Sequence, residues 1–229
     1  MKEDKTYEDK GDLLHILLTD DLFKTDDKMI VDECLTFFFA ASQTSSMSFQ
    51  NMLLHMMQQP AMLDKIRAEL KEQIILPYQK SHSEKVEIER MMDFENIFNL
   101  KYYTNCFMES MRIEPPVMFS SYDTVTDDTT IGGINVKKGD PFTVDMYFLH
   151  HNPEEWIDHN KFIPERFDPS SPYFLTPSGK KRHAMSFAPF LGGKRICLGK
   201  TFVETMSKII GPTVIGTFDF KFVNEKHNQ

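Results

Sequence analysis

The chain has 229 residues, 41% hydrophobic and 26% charged, enough for one large domain or two small ones with an ordinary globular interior. A formal charge of −8 argues against a nucleic-acid partner, whose binders show a basic patch or stripe. No apolar run approaches the roughly 20 residues that span a bilayer, and the charged start MKEDKTYEDKGD reads as neither a signal peptide nor an anchor.

Cys34, Cys106 and Cys197 are far apart and odd in number. This predicts a reducing compartment, with no disulfide framework and no structural zinc site. Phe (20) and Met (15) are abundant, which suits an adaptable apolar interior, either a Met-rich core or a ligand cavity.

In chain order, a short helix is predicted over Asp12–Phe23. A long one follows over Asp27–Gln59, with two Asp residues before an apolar stretch as its start signal. Pro60 opens the next, over Ala61–Ile75, with Lys and Glu along a solvated face. SHSEKVEIER is a polar connection. A helix over Lys101–Ile113 stops at Pro115–Pro116. Short strands are then expected in TTIGGINVKKGDPFTVDMYF, where β-branched and aromatic residues flank Gly-Gly and Lys-Gly-Asp turns. HHNPEEW and FIPERFDPSSPYF read as ordered irregular chain. A helix over Leu198–Ile210 and a closing strand near Thr217–Val223 complete the chain.

The stretch FLGGKRICLGKT, residues 190–201, poses the main functional question. It ends in Gly-Lys-Thr, as a phosphate-binding loop does. Such a loop needs four residues between its first Gly and the Gly-Lys-Thr. Here five separate Gly193 from Gly199, and the position that should be Gly is Lys194. The phosphate reading therefore fails on spacing.

The thiolate reading fits better. Phe190, Gly193, Arg195, Cys197 and Gly199 match Phe-x-x-Gly-x-Arg-x-Cys-x-Gly, which resembles the heme loop of the cytochrome P450 family. Small residues let the backbone turn tightly and approach a flat macrocycle. A cysteine just before a helix has that helix's N-terminal dipole and free amides beside its thiolate. The resemblance implies that Cys197 is the proximal ligand of a heme b iron, pushing electron density toward O–O cleavage. It implies that Arg195 pairs with a heme propionate and that Phe190 keeps water from the sulfur.

Other segments are similar to the same family in the same order. FMESMRIEPP carries Glu109-x-x-Arg112, and FIPERF carries Arg166. The resemblance implies a Glu-Arg-Arg network of Glu109, Arg112 and Arg166 behind the loop. Residues i and i+3 share a helix face, which suits the first pair. The hairpin segment is followed by a run similar to the family's His-x-x-Pro-x-x-Trp, here His151, Pro153 and Trp156. On the long helix, FFFAASQTSS is similar to the oxygen-binding segment, with Ala40, Ala41, Gln43 and Thr44 at the motif positions. There the family motif bends the helix over the iron, and Thr44 would help deliver protons to bound dioxygen. The alternative is an apolar helix face with a back-bonded Thr.

The sequence departs from the family pattern in places. Ala41 replaces the usual Gly. Gln43 replaces the usual acid, and an amide can hydrogen-bond a water but cannot ionise. Asp123 stands near where many members carry another propionate-binding Arg, and Val203 and Met206 stand where Ala and Glu are frequent.

The resemblance therefore implies a mainly α fold with minor β: the C-terminal portion of the family fold, as one partial domain over residues 1–229 with the N-terminal half absent. Its parts are a long oxygen-side helix, the Glu-x-x-Arg helix, small β-hairpins, the Cys loop and the helix after it. The implied function is a heme-thiolate monooxygenase acting on O2 and an apolar small-molecule substrate. The partner is an NADPH-dependent flavoprotein reductase, and the setting is the cytoplasmic face of the endoplasmic reticulum. Membrane association is expected only through the absent half. The alternatives are a non-catalytic heme-binding remnant or fragment, and a heme-thiolate isomerase or dehydratase, which would tolerate Gln43.

Overall fold

The computed structural model describes residues 11–84, 86–93, 95–121 and 123–223, and residues 1–10 of the charged start lie outside these. Among the described residues the fold is mainly α with small antiparallel sheets. Two compact units are distinguished, one ending at Ser46 and one beginning at Met47.

The first unit contains α1 (Leu13–Thr19) and the opening of α2 (Asp27–Gln58). Asp12 caps α1 by accepting from the His15 amide at 2.8 Å. The helix ends four residues before the predicted Phe23. The Asp20 side chain accepts from the Leu22 amide at 2.9 Å, and this local turn competes with another helical turn. Asp26 caps α2 through the Met29 amide at 3.0 Å.

In the second unit α3 (Pro60–Leu70) starts where Pro60 predicts, but helical chain continues past Ile75. A π-turn over Lys71–Ile75 joins α3 to α4 (Leu76–Ser81). The Leu76 N–H reaches back five residues to the Lys71 carbonyl. This wider turn admits Pro77, which has no N–H to offer a regular helix. The polar connection carries one short helix, α5 (Ile88–Met91). The next helix, α6, spans Lys101–Ile113, as the sequence predicts.

The described strands form two two-stranded antiparallel sheets. β1 (Asp123–Thr124) pairs with β4 (Pro141–Phe142), and β2 (Thr129–Ile131) pairs with β3 (Ile134–Val136). Three of the strands lie in the predicted segment, and β1 precedes it. Gly132 and Gly133 join β2 to β3 with φ of 57° and 84°, the left-handed pair a tight hairpin needs. After α7 (Met146–His150) the chain is ordered but irregular until α8 (Lys200–Thr217).

The predicted closing strand at Thr217–Val223 is absent among the described residues. α8 runs through Pro212 to Thr217 instead. Ile215 is fully buried in the core cluster, and Gly216 approaches Leu70. Arg67 then accounts for the helix end, donating to the Ile215 carbonyl at 3.2 Å, the Phe218 carbonyl at 3.0 Å and Asp219 at 2.9 Å. Carbonyls held by a guanidinium need no strand partner.

The core of this unit joins Met52 and Met56 of α2, Ile66 and Leu70 of α3, and Tyr103, Phe107 and Met111 of α6. Methionine thus supplies part of this interior, with Met52, Met56, Met91 and Met111 in the core cluster. The face of α6 that bears Glu109 and Arg112 is buried against the 3₁₀ turn Pro164–Phe167 and carries the polar network described next.

Candidate functional site

Glu109 and Arg112 lie one turn apart on α6 and are completely buried. Their contact is bidentate: Arg112 Nε and Nη2 donate to the two carboxylate oxygens at 2.7 and 2.8 Å. Arg166, on the 3₁₀ turn Pro164–Phe167, donates to the same carboxylate from Nε at 3.0 Å. The Ile163 amide adds a further bond to it at 2.8 Å. The remaining guanidinium protons go to backbone. Arg112 donates to the carbonyls of His150, His159 and Lys161 at 2.9, 2.8 and 3.0 Å. Arg166 donates to those of Ile157 and Asp158. Two cations and one carboxylate can be buried only with such complete hydrogen bonding. Burial pulls the Arg166 pKa down from its usual value, while Glu109 pulls it back up.

The network's backbone acceptors make it a clamp on residues 150–166, and that segment leads toward the cysteine. Two residues not singled out in the sequence extend it. Arg182 donates to the Arg166 carbonyl at 2.6 Å and the Tyr173 carbonyl at 3.0 Å, and its guanidinium lies 4.3 Å from the Trp156 ring centre. Trp156 also receives Arg112, at 5.1 Å. His150 is fully buried, and its Nε2 accepts from the Ala188 amide at 3.0 Å. Its pKa is pushed down to about 4, first by burial, then by the Arg112 charge.

His150 corrects the sequence reading. It stands three residues before Pro153, where the His-x-x-Pro spacing requires it, while His151 stands two before. His151 is half-buried and stacks on Tyr147 at 4.1 Å. Counting from Pro153 would have selected the right histidine. Arg182 had no comparable signal, because KKR looks like a solvated basic run.

The Cys loop follows. The Cys197 amide donates to the Phe190 carbonyl at 2.9 Å, closing the loop, and the Phe190 ring packs against the core cluster. Gly193 has φ 64°, a left-handed conformation that suits glycine; Leu191 adopts φ 61°. Gly199 differs. Its φ is −78°, open to any residue, and a Cβ there would lie 3.8 Å from the Cys197 sulfur. Gly199 is the N-cap of α8 and supplies no side-chain cap. The Lys200 amide instead donates to the Cys197 carbonyl at 3.3 Å, which ties the cysteine to a helix terminus that favours negative charge.

Cys197 is exposed. Its neighbours Ile196 and Leu198 are exposed too, Leu198 at 79%. Arg195 is exposed and has no hydrogen-bond or ion-pair partner among the described residues. Among those residues no group of three or more His, Cys, Asp or Glu could hold a metal ion. This donor set does not suit a bare ion. A single thiolate, apolar side chains and an unpaired cation suit an iron already held in a flat apolar macrocycle with anionic side groups, and to that extent heme fits.

Ala40, Ala41, Gln43 and Thr44, expected on the oxygen side, lie in the first unit. α2 is α-helical throughout Ala40–Thr44. Ala40, Ala41 and Gln43 are exposed, and Thr44 donates from Oγ1 to the Ala40 carbonyl at 2.7 Å. Thr36 makes the same i−4 bond to Asp32 at 2.8 Å. Asp123 is exposed in β1, opposite Phe142. Among the described residues no helix is long and apolar enough to cross a membrane.

The family model for Cytochrome P450 matches residues 1–229. Cytochrome P450 4F2 of Homo sapiens is 29% identical over 199 residues, 87% of this chain and 35% of that protein. Ultra-long-chain fatty acid omega-hydroxylase of Homo sapiens is 29% identical over 209 residues, 91% of this chain and 36% of that protein. Cytochrome P450 81F4 of Arabidopsis thaliana is 26% identical over 229 residues, 99% of this chain and 42% of that protein. The chain thus spans less than half the length of these relatives. With its Cys loop, its buried Glu109–Arg112–Arg166 network and a match along its full length, the chain belongs to the cytochrome P450 family.

Proposed function

We propose that this chain carries the heme-thiolate half of a monooxygenase that inserts one oxygen atom from O2 into an apolar organic substrate. The observation that carries the reading is the exposed Cys197, set at the start of α8 in a loop closed by the Cys197–Phe190 bond. Cys197 would ligate the iron of heme b, and Arg195 would pair with a propionate. Bound heme would supply dioxygen activation, using two electrons from an NADPH-dependent flavoprotein reductase. That reductase, and a place on the cytoplasmic face of the endoplasmic reticulum, rest on family membership.

The chain's own residues hold and move protons. Thr44 spends its hydroxyl proton on the Ala40 carbonyl. A threonine hydroxyl can both donate and accept, the property that relaying a proton through a water needs. Gln43 can orient that water but cannot ionise. The Thr44→Ala variant should therefore lower oxygenated product per NADPH consumed without lowering heme content. One relative is named as an omega-hydroxylase of ultra-long-chain fatty acids. This supports long apolar chains as the first substrates to try.

Gln43 favours a second reading, a heme-thiolate isomerase or dehydratase, which needs no proton delivery to dioxygen. Isotopically heavy O2 separates the two. Given heme, a flavoprotein reductase and NADPH, the monooxygenase yields product with one heavy oxygen atom. Product without label supports the isomerase, heme retained without any product supports a non-catalytic heme-binding remnant, and failure to retain heme supports a fragment.

A further inference from the structure

One residue bonds both to the buried Glu-Arg-Arg network and to the chain that enters the Cys loop. The His150 carbonyl accepts from Arg112 Nη1 at 2.9 Å, and its ring Nε2 accepts from the Ala188 amide at 3.0 Å. Ala188 is buried and lies two residues before Phe190. The Phe190 carbonyl in turn accepts from the Cys197 amide at 2.9 Å. A bonded route thus runs from Glu109 through Arg112, His150 and Ala188 to the loop.

We infer that His150 is a positioning residue, whose imidazole fixes the segment 186–190 and through it the placement of Cys197. This rests on the reading of Cys197 as the iron ligand. The surroundings leave the imidazole little freedom. It is fully buried, and the Phe187 ring lies 5.5 Å away, itself packed 4.9 Å from Phe167 and 6.4 Å from Trp156. The Ala188 carbonyl accepts from the Leu191 amide at 2.9 Å, so the same peptide segment is anchored at its amide and at its carbonyl. Arg182 holds the segment's far end on the Arg166 carbonyl. His150 supplies its near end, where the loop departs. An amide donor buried without an acceptor is costly, so the chain would shift if the ring nitrogen were removed.

Two variants of the full chain test this. His150→Gln places an amide oxygen near the position of Nε2. His150→Asn ends one bond short of it, with similar polarity. Hydrogen exchange, read over residues 186–198 in the heme-free chain, is the first measurement. In His150→Asn these amides should exchange about tenfold to a hundredfold faster, the size expected for a buried donor left unpaired. The amides of Lys101–Met108 should not change, and His150→Gln should restore most of the protection. Unchanged exchange in His150→Asn, or acceleration spread equally over α6, would overturn the inference.

The second measurement is made after heme addition and reduction under carbon monoxide. Among heme-bound molecules, the fraction with a thiolate-type Soret band should fall in His150→Asn and recover in His150→Gln. An equal fraction in both also counts against the inference. Should the wild-type chain take up no heme, the proposed function fails, and the exchange experiment alone decides the role of His150.

Discussion

The Glu109 carboxylate and the Arg166 guanidinium, 57 positions apart in the chain, meet at 3.0 Å with neither side chain exposed. Arg112 completes the group from one helical turn away. The arrangement joins α6 to the 3₁₀ turn Pro164–Phe167 and so fixes the irregular chain between α7 and the Cys loop.

Removing Glu109 should therefore be severe. The Glu109→Ala variant leaves two buried guanidiniums facing each other without a counter-charge, at a cost of about 3–5 kcal/mol. Denaturant unfolding followed by circular dichroism should show a much lower midpoint or no cooperative transition. Arg112→Lys should also fail to substitute, because an ammonium cannot serve the carboxylate bidentately and three carbonyls besides. A midpoint within error of wild type for either variant would remove the network from the account.

Gly211 and Gly216 of α8 offer a graded test of helix packing. A Cβ on Gly211 would fall 1.9 Å from the Tyr103 hydroxyl, which donates to the Ser207 carbonyl at 2.6 Å. That ring is held at both ends. A Cβ on Gly216 would meet only the methyl ends of Leu70 and Ile88, at 2.5 and 2.7 Å. These can rotate. Gly211→Ala should cost about 1–3 kcal/mol or more, and Gly216→Ala less, as read by thermal unfolding. The reverse order would show that α8 packs differently.

Stability should fall in mild acid. His150 has a folded-state pKa of about 4 against an ordinary 6.5, because burial and the Arg112 charge oppose its protonation. Burial also lowers the pKa values of His55 and His151. A lowered histidine pKa means that the unfolded chain binds the proton first as pH drops. The contribution of neutral His150 is complete above pH 6.5 and is lost between 6.5 and about 4, on the order of 3 kcal/mol. Denaturant midpoints across that range should fall in wild type and fall less in His150→Gln. Equal slopes would place the acid sensitivity elsewhere.

Much of this was legible in the sequence where chemistry is local. Asp27, Pro60 and the Pro115–Pro116 pair mark helix ends closely, and Gly132–Gly133 marks a hairpin. Glu109-x-x-Arg112 is a one-turn relation that spacing alone exposes. Most of what the sequence does not reveal is tertiary. A π-turn carries helix past Ile75 to a proline that would otherwise end it. The stretch Thr-Phe-Asp-Phe-Lys-Phe-Val has strand-like composition, but α8 runs on to Thr217 and Arg67 takes the Phe218 carbonyl and the Asp219 carboxylate. Nothing local distinguishes Arg182 within its basic run, and its bond to the Arg166 carbonyl and its stacking on Trp156 depend on contacts no local pattern encodes. His150 was within reach, missed by one residue of register.

Cys197 is the centre of the account, and its ligation can be read directly. The chain is combined with heme, reduced and exposed to carbon monoxide, and the Soret region is recorded for wild type and Cys197→Ser. The account predicts a strongly red-shifted thiolate band in wild type that disappears in Cys197→Ser. A wild-type band at the position of a neutral ligand, or an unchanged thiolate band in Cys197→Ser, would contradict it.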